Sequence, residues 1–113
     1  MNNINSGDII RELYDMVMSR KETHEEGSYT CYLFEAGLDK ILKKIGEECA
    51  ETIIAAKNGD GDALTGEICD LIYHIIVMMA ERGISPDDIF TELDARSKKM
   101  HNLKKMKTVD KNT

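Results

Sequence analysis

The chain has 113 residues, of which 42% are hydrophobic and 32% charged, with one proline and no tryptophan. This length allows one domain with a single core, and the composition is typical of a soluble helical protein rather than a β-sandwich or a disordered chain. The formal net charge is −6, and six lysines lie after residue 96, so the rest of the chain is more acidic still. We do not expect such an acidic body to bind nucleic acid.

The N-terminal region lacks the apolar segment of a secretory signal, and the longest unbroken apolar run, residues 75–80, is too short to cross a bilayer. The three cysteines are far apart, without the close pairs that zinc sites and redox motifs use. We therefore expect free thiols in a cytoplasmic protein without membrane contact.

Apolar residues recur with the period of an α-helix in four segments. The first predicted helix covers residues 8–22, with Ser6 as its N-cap. Residues 23–37 break the period and predict a loop followed by a short helical turn. The second predicted helix covers residues 38–58.

Turn residues separate the second helix from the third. Gly59 is the expected C-cap of the second helix and Asp62 the expected N-cap of the third. The third helix should cover residues 63–82 and end at Gly83. Because the turn is so short, the two helices should form an antiparallel hairpin.

The fourth helix has a clear start signal, with Ser85 as N-cap and Pro86 at the first helical position. It should fade after Arg96. We assign residues 1–97 to one all-α domain and residues 98–113 to a basic, flexible tail.

The predicted fold is a bundle of four to five helices around the central antiparallel hairpin. Residues 75–79 should remain uncovered in so short a chain, and helix association is the usual remedy for exposed apolar surface. The sequence therefore predicts that oligomerisation completes the bundle.

Carboxylates follow the edge of the apolar stripe on both hairpin helices. At about 100° per residue, Glu48 borders the core, with Glu51 and Glu47 further round the helix. Glu67 and Asp70 repeat this layout on the third helix. In an antiparallel hairpin the two sets differ in height by only about 3 Å, so their carboxylates can share one level.

Like charges beside apolar surface require compensation. Lys40 and Lys44 can form salt bridges on the same helix face, but two amines do not neutralise five acids. Converging carboxylates are what Mg²⁺ uses when it recruits phosphate. The alternative is a solvated acidic face paired with lysines. The spacing fits neither a di-iron Glu-x-x-His motif nor an EF-hand, and His74 is expected to support the site rather than to bind metal.

The acid pattern, EE-x-x-E followed after fifteen residues by E-x-x-D, resembles the metal motif of the all-α NTP pyrophosphohydrolase superfamily. A wider stretch, residues 8–97, resembles the phosphoribosyl-ATP pyrophosphohydrolase family, which acts in the second step of histidine biosynthesis. The marks of that resemblance are SYT at 28–30, GLDKILKKIGEE at 37–48, AAKN at 55–58 and DLIYH at 70–74.

The resemblance implies hydrolysis of N1-(5-phosphoribosyl)-ATP between the α and β phosphates, releasing pyrophosphate and phosphoribosyl-AMP. The expected Mg²⁺ ligands are Glu48, Glu51, Glu67 and Asp70. Glu47 could orient or deprotonate the water or bind a second ion, and the sequence does not distinguish these roles. Glu47 and Glu48 are the catalytic candidates.

Basic residues near the motif are candidates to hold phosphate. Lys44 is the best placed because it lies on the acid stripe, and the others are Lys40, Lys43, Lys57 and Arg96. The resemblance also implies a homodimer with the active site near the subunit interface. Two alternatives stay open: an enzyme of the same superfamily that hydrolyses ordinary or damaged nucleoside triphosphates, and a non-catalytic helical interaction module.

Overall fold

The structure, a computed structural model, describes residues 6–103, with side chains described for residues 8–100. This part of the chain forms five helices and contains no strand: α1 Ser6–Glu22, α2 Tyr29–Ala36, α3 Leu38–Asn58, α4 Gly61–Arg82 and α5 Pro86–Leu103. The predicted all-α class is confirmed. The predicted flexible tail lies outside the described residues from residue 104 onward, and its first six residues belong to α5.

The turn between α3 and α4 is set by two residues. Gly59 adopts the left-handed conformation, with φ of 72°, and ends α3 as predicted. The predicted N-cap Asp62 is wrong, because the carboxylate of Asp60 accepts the hydrogen bond from the backbone N–H of Ala63 at 3.0 Å. The earlier cap lets α4 begin at Gly61.

The ends of α5 differ in how well the sequence predicts them. Ser85 caps the helix as expected: its hydroxyl accepts from the N–H of Asp88, whose carboxylate accepts from the N–H of Ser85. The predicted end after Arg96 is wrong, since α5 continues to Leu103. Ion pairs one turn apart, Arg96 with Glu92 and Lys98 with Asp94, support the additional turns.

Four helices build the core. Its buried members are Val17, Leu33, Ile41, Ile76, Val77 and Ala80. Residues 76, 77 and 79 are therefore buried, and the expectation that residues 75–79 stay uncovered is wrong for them. The reason is α2, predicted only as a turn, which supplies Leu33 to the cluster while α1 packs on α4.

Uncovered apolar side chains lie on α1 and α5 and elsewhere on the two longest helices. On α3 they are Leu42, Ile53 and Ile54 and on α4 Ile68 and Ile72, each at least 39% exposed.

By length and composition α4 could also cross a membrane. It packs against α1 and α3 and carries Glu67 and Asp70. A core helix of a soluble protein meets the same criterion, so this property alone does not indicate a membrane protein.

Candidate metal centre

Three carboxylates from two helices converge beside the core. Glu48 on α3 and Glu67 and Asp70 on α4 each offer an oxygen, and these oxygens lie within 4.8 Å of one another. They meet because α3 and α4 pack along each other after a short turn, so that positions at equal distance from the turn face each other. We call this group the acid cluster.

Glu48 is the buried member of the acid cluster, only 8% exposed. Its Oε2 is fully buried and has no hydrogen-bond partner among the described residues. The pKa of Glu48 is raised to about 7, chiefly because the carboxyl group is buried. Hydrogen bonding with Glu51 and Glu67 and repulsion from Glu51 and Asp70 raise it further. Glu51 therefore lies within reach of the cluster, although its own side chain is exposed.

These features fit a hard divalent cation. The donors are all carboxylate oxygens, which Mg²⁺ prefers, and the orphaned Oε2 is an acceptor that a cation would satisfy. A buried polar atom without a partner is costly, and its presence in a native site calls for a physical reason. Among the described residues, no lysine or arginine forms an ion pair with the three clustered carboxylates.

Glu47, adjacent in sequence, has a different environment from Glu48. Its carboxylate is partly exposed and lies 3.3 Å from the ammonium of Lys44. The hydrogen bond to Glu47 raises the pKa of Lys44, with a smaller contribution from Tyr29. Lys44 also interacts electrostatically with Glu48, so the Glu47–Lys44 pair lies at the edge of the acid cluster.

The other predicted basic residues are less closely associated with the cluster. Lys40 is half-buried, and Lys43 and Lys57 are exposed on α3. Arg96 on α5 pairs with Glu92 at 2.9 Å, with both side chains exposed. The described ion pairs join none of these four residues to the acid cluster.

A buried histidine links the cluster to α2. The Nδ1–H of His74, which is 5% exposed, donates to the backbone carbonyl of Asp70 at 2.7 Å, because a carbonyl can only accept. The other ring nitrogen, Nε2, lies within hydrogen-bond distance of the Tyr29 hydroxyl, at 2.8 Å. Burial raises the pKa of Tyr29, and nearby Lys44 opposes this. His74 thus fixes Tyr29 beside the cluster.

Comparison with known proteins identifies the family. The model of the family described as phosphoribosyl-ATP pyrophosphohydrolase matches residues 10–97. The chain belongs to this family. The phosphoribosyl-ATP pyrophosphatase of Pelotomaculum thermopropionicum is 58% identical over 92 residues, which cover 81% of this chain and 94% of that protein. The corresponding protein of Clostridium novyi is 54% identical over 97 residues, 86% of this chain and 88% of that protein.

A longer relative matches as well. The histidine biosynthesis bifunctional protein HisIE of Thermoanaerobacter pseudethanolicus is 58% identical over 84 residues, 74% of this chain but 39% of that protein. The resemblance to the phosphoribosyl-ATP pyrophosphohydrolase family is therefore confirmed.

Sequence reasoning missed one residue beside the acid cluster. Tyr29 belongs to the SYT mark, but its approach to His74 and the cluster depends on α2 being a full helix. The capping signal was present: the hydroxyl of Ser28 accepts from the N–H of Cys31 at 3.1 Å and starts α2.

Proposed function

We propose that this chain hydrolyses phosphoribosyl-ATP to phosphoribosyl-AMP and pyrophosphate, the second step of histidine biosynthesis, with Mg²⁺ held by the acid cluster. Family membership supports the reaction. The single observation that supports the metal is the convergence of the Glu48, Glu67 and Asp70 carboxylates, where one oxygen of Glu48 is buried and has no hydrogen-bond partner among the described residues. A cytoplasmic location is consistent with a charged nucleotide substrate.

The proposed ligands are Glu48, Glu51, Glu67 and Asp70. These carboxylates would hold Mg²⁺ beside the substrate, where its positive charge would attract phosphate and offset the charge that develops on the leaving pyrophosphate. Glu48 must lose its proton to bind the cation, which couples binding to its raised pKa.

Glu47 and Lys44 have complementary proposed roles at the edge of the cluster. The partly exposed Glu47 carboxylate can accept a hydrogen bond from the attacking water and receive its proton. Lys44 keeps its positive charge, since its pKa is raised, and can contact a phosphate oxygen of the substrate.

The test is an assay of pyrophosphate release from phosphoribosyl-ATP, ATP, dCTP and dUTP, with and without Mg²⁺. We expect Mg²⁺-dependent turnover with phosphoribosyl-ATP that exceeds the other rates by about 100-fold or more, as expected when a site pairs polar groups that only one substrate carries. Comparable rates on all four would indicate a general nucleoside triphosphate pyrophosphohydrolase. No turnover, together with no stabilisation by Mg²⁺, would indicate an interaction module.

We also propose a homodimer formed through the exposed apolar face of α3 and α4. Ile53 is 64% exposed and Ile68 41%, although both are large apolar residues on the two longest helices. Burial of such side chains favours association. Sedimentation should show a dimer, and Ile53→Glu and Ile68→Glu should shift it toward monomer while Ile9→Glu on α1 should not. A monomeric wild type would refute this arrangement.

A further inference from the structure

An open groove lies between the α1–α2 loop and α2. Tyr29, which lines it, also interacts electrostatically with Glu48 of the acid cluster. The volume of the groove is about 670 Å³, within the range of sites for small ligands. One wall is aromatic: the rings of Tyr29 and Tyr32 stack with centroids 6.2 Å apart and planes at 29°. Both tyrosines are large and exposed, at 44% and 49%.

The rest of the groove is anionic. Glu25, Glu26 and Glu35 line it together with His24. Arg20 pairs with Glu25 at 2.6 Å, and His24 lies 3.5 Å from Glu26 and 3.7 Å from Glu35. Three carboxylates outnumber these two basic side chains, so the groove has a net negative charge. Such a surface attracts a flat cation.

Tyr29 belongs to both the groove and the catalytic region. Its ring lines the groove, and its hydroxyl is held by His74, which is anchored on the backbone of Asp70. A nucleotide whose phosphates lie at the acid cluster can therefore place its base against Tyr29.

We propose that this groove binds the base of the substrate and selects N1-ribosylated adenine by its positive charge. The inference rests on the proposed function. Substitution at N1 turns the adenine into a cyclic amidine, which takes up a proton at neutral pH, whereas the base of ATP is neutral. A planar cation against Tyr29 and Tyr32, near Glu35, gains cation–π and Coulomb attraction that the neutral base lacks.

The experiment uses N1-methyl-ATP, which carries the cationic base but no second ribose phosphate. With wild-type enzyme and Mg²⁺, kcat/KM for N1-methyl-ATP should exceed that for ATP by about tenfold, the scale of a desolvated cation–π contact. Tyr32→Leu and Glu35→Gln should each lower this ratio by about three- to tenfold, mainly through KM. The control Glu12→Gln, an exposed glutamate on α1, should leave the ratio unchanged.

The possible results distinguish a failure of this inference from a failure of the proposed function. If phosphoribosyl-ATP is hydrolysed but N1-methyl-ATP is used no better than ATP, selection by charge is overturned while the proposed function stands. Failure to hydrolyse phosphoribosyl-ATP overturns the proposed function instead. If Tyr32→Leu and Glu35→Gln both keep the preference for N1-methyl-ATP over ATP, another surface binds the base and the assignment of this groove is wrong.

A binding measurement on the wild-type protein tests the inference even if the variants do not fold. N1-methyladenosine should bind the enzyme about tenfold more tightly than adenosine in calorimetry, for the same cation–π reason. Equal affinities would overturn the inference whatever the fate of the variants or of the turnover assay.

Discussion

The two halves of α4 contribute to regions with opposite properties. Its C-terminal half supplies Ile76, Val77 and Ala80 to a core in which these side chains are at most 2% exposed. Its N-terminal half supplies Glu67 and Asp70 to the acid cluster, where the buried Glu48 Oε2 has no partner. One helix thus contributes both to the core, which stabilises the fold, and to the acid cluster, where the burial of a carboxylate is unfavourable.

This contrast explains how a small domain can gather carboxylates beside its core. Burying a charge without a partner is unfavourable, so a fold that does so needs stabilisation elsewhere. The apolar contacts among α1, α2, α3 and α4 provide it. Substitutions at the acid cluster should therefore change activity most, whereas substitutions in the core should change stability most.

The largest expected effect is on activity. Asp70→Asn keeps the shape of the side chain but removes one charge from the acid cluster, so the pyrophosphohydrolase rate should fall by about 100-fold or more. The measurement is Mg²⁺-dependent pyrophosphate release. The matched control is Asp62→Asn, an exposed aspartate in the first turn of the same helix, which should retain most of the rate.

The next prediction concerns the core and the stability of the fold. Leu33 is fully buried, so Leu33→Ala should lower the free energy of unfolding by about 2–5 kcal/mol. Ile53 is 64% exposed, so Ile53→Ala should cost less than about 1 kcal/mol at protein concentrations below the dimerisation constant. Urea unfolding measures both. A similar cost at the two positions would show that Ile53 is buried in the folded unit.

The part of the molecule that the sequence predicts best is local. The span of α3 and the start of α5 at Ser85 follow from helical period and capping. Counting 100° per residue was enough to place Glu48 at the edge of the core. The meeting of Glu48, Glu67 and Asp70 needed only the short turn at Gly59 and the rise per residue. These features depend on neighbours in sequence.

The features that the sequence did not predict depend on tertiary contacts. The eight residues of α2 are too few for a clear helical period, so neither Leu33 in the core nor Tyr29 on His74 was expected. The Tyr29–His74 bond joins residues 45 positions apart, and local propensity carries no information about such a pair. The helical periodicity of the apolar residues also did not reveal which of those on α4 would be buried by the other helices.

A smaller effect concerns stability and pH without metal. The pKa of Glu48 is raised to about 7 in the folded protein, from an ordinary value near 4.5. Between these values the folded state binds more protons than the unfolded state, so stability should fall as pH rises from about 4.5 to 7, by about 1–3 kcal/mol. Glu48→Gln should abolish this fall, because its amide stays neutral and can donate to neighbouring carboxylates.

Urea unfolding in EDTA at pH 5 and pH 8 measures this difference. Glu47→Gln is the matched control one residue away, and it should keep the wild-type pH dependence because Glu47 is partly exposed and paired with Lys44. Millimolar Mg²⁺ should raise the stability of wild type at pH 8 through linkage, and should raise that of Glu48→Gln much less. A wild type whose metal-free stability rises with pH across this window would contradict the burial of the Glu48 carboxylate among other carboxylates.

The smallest expected effects on activity are at the cysteines, which divide between the same two regions. Cys49 and Cys69 are exposed neighbours in sequence of Glu48 and Asp70, whereas Cys31 is buried and its thiol lies 3.4 Å from the carbonyl of Arg20. Hydrolysis by metal-activated water needs no thiol nucleophile, so Cys49→Ala and Cys69→Ala should keep the rate and change stability by less than about 0.5 kcal/mol. Cys31→Ser should keep the rate but cost about 1–2 kcal/mol, because a hydroxyl replaces a larger thiol in a buried site. Pyrophosphate release and thermal melts of the three variants test this, and loss of the rate in a folded Cys49→Ala or Cys69→Ala would indicate covalent catalysis beside the acid cluster.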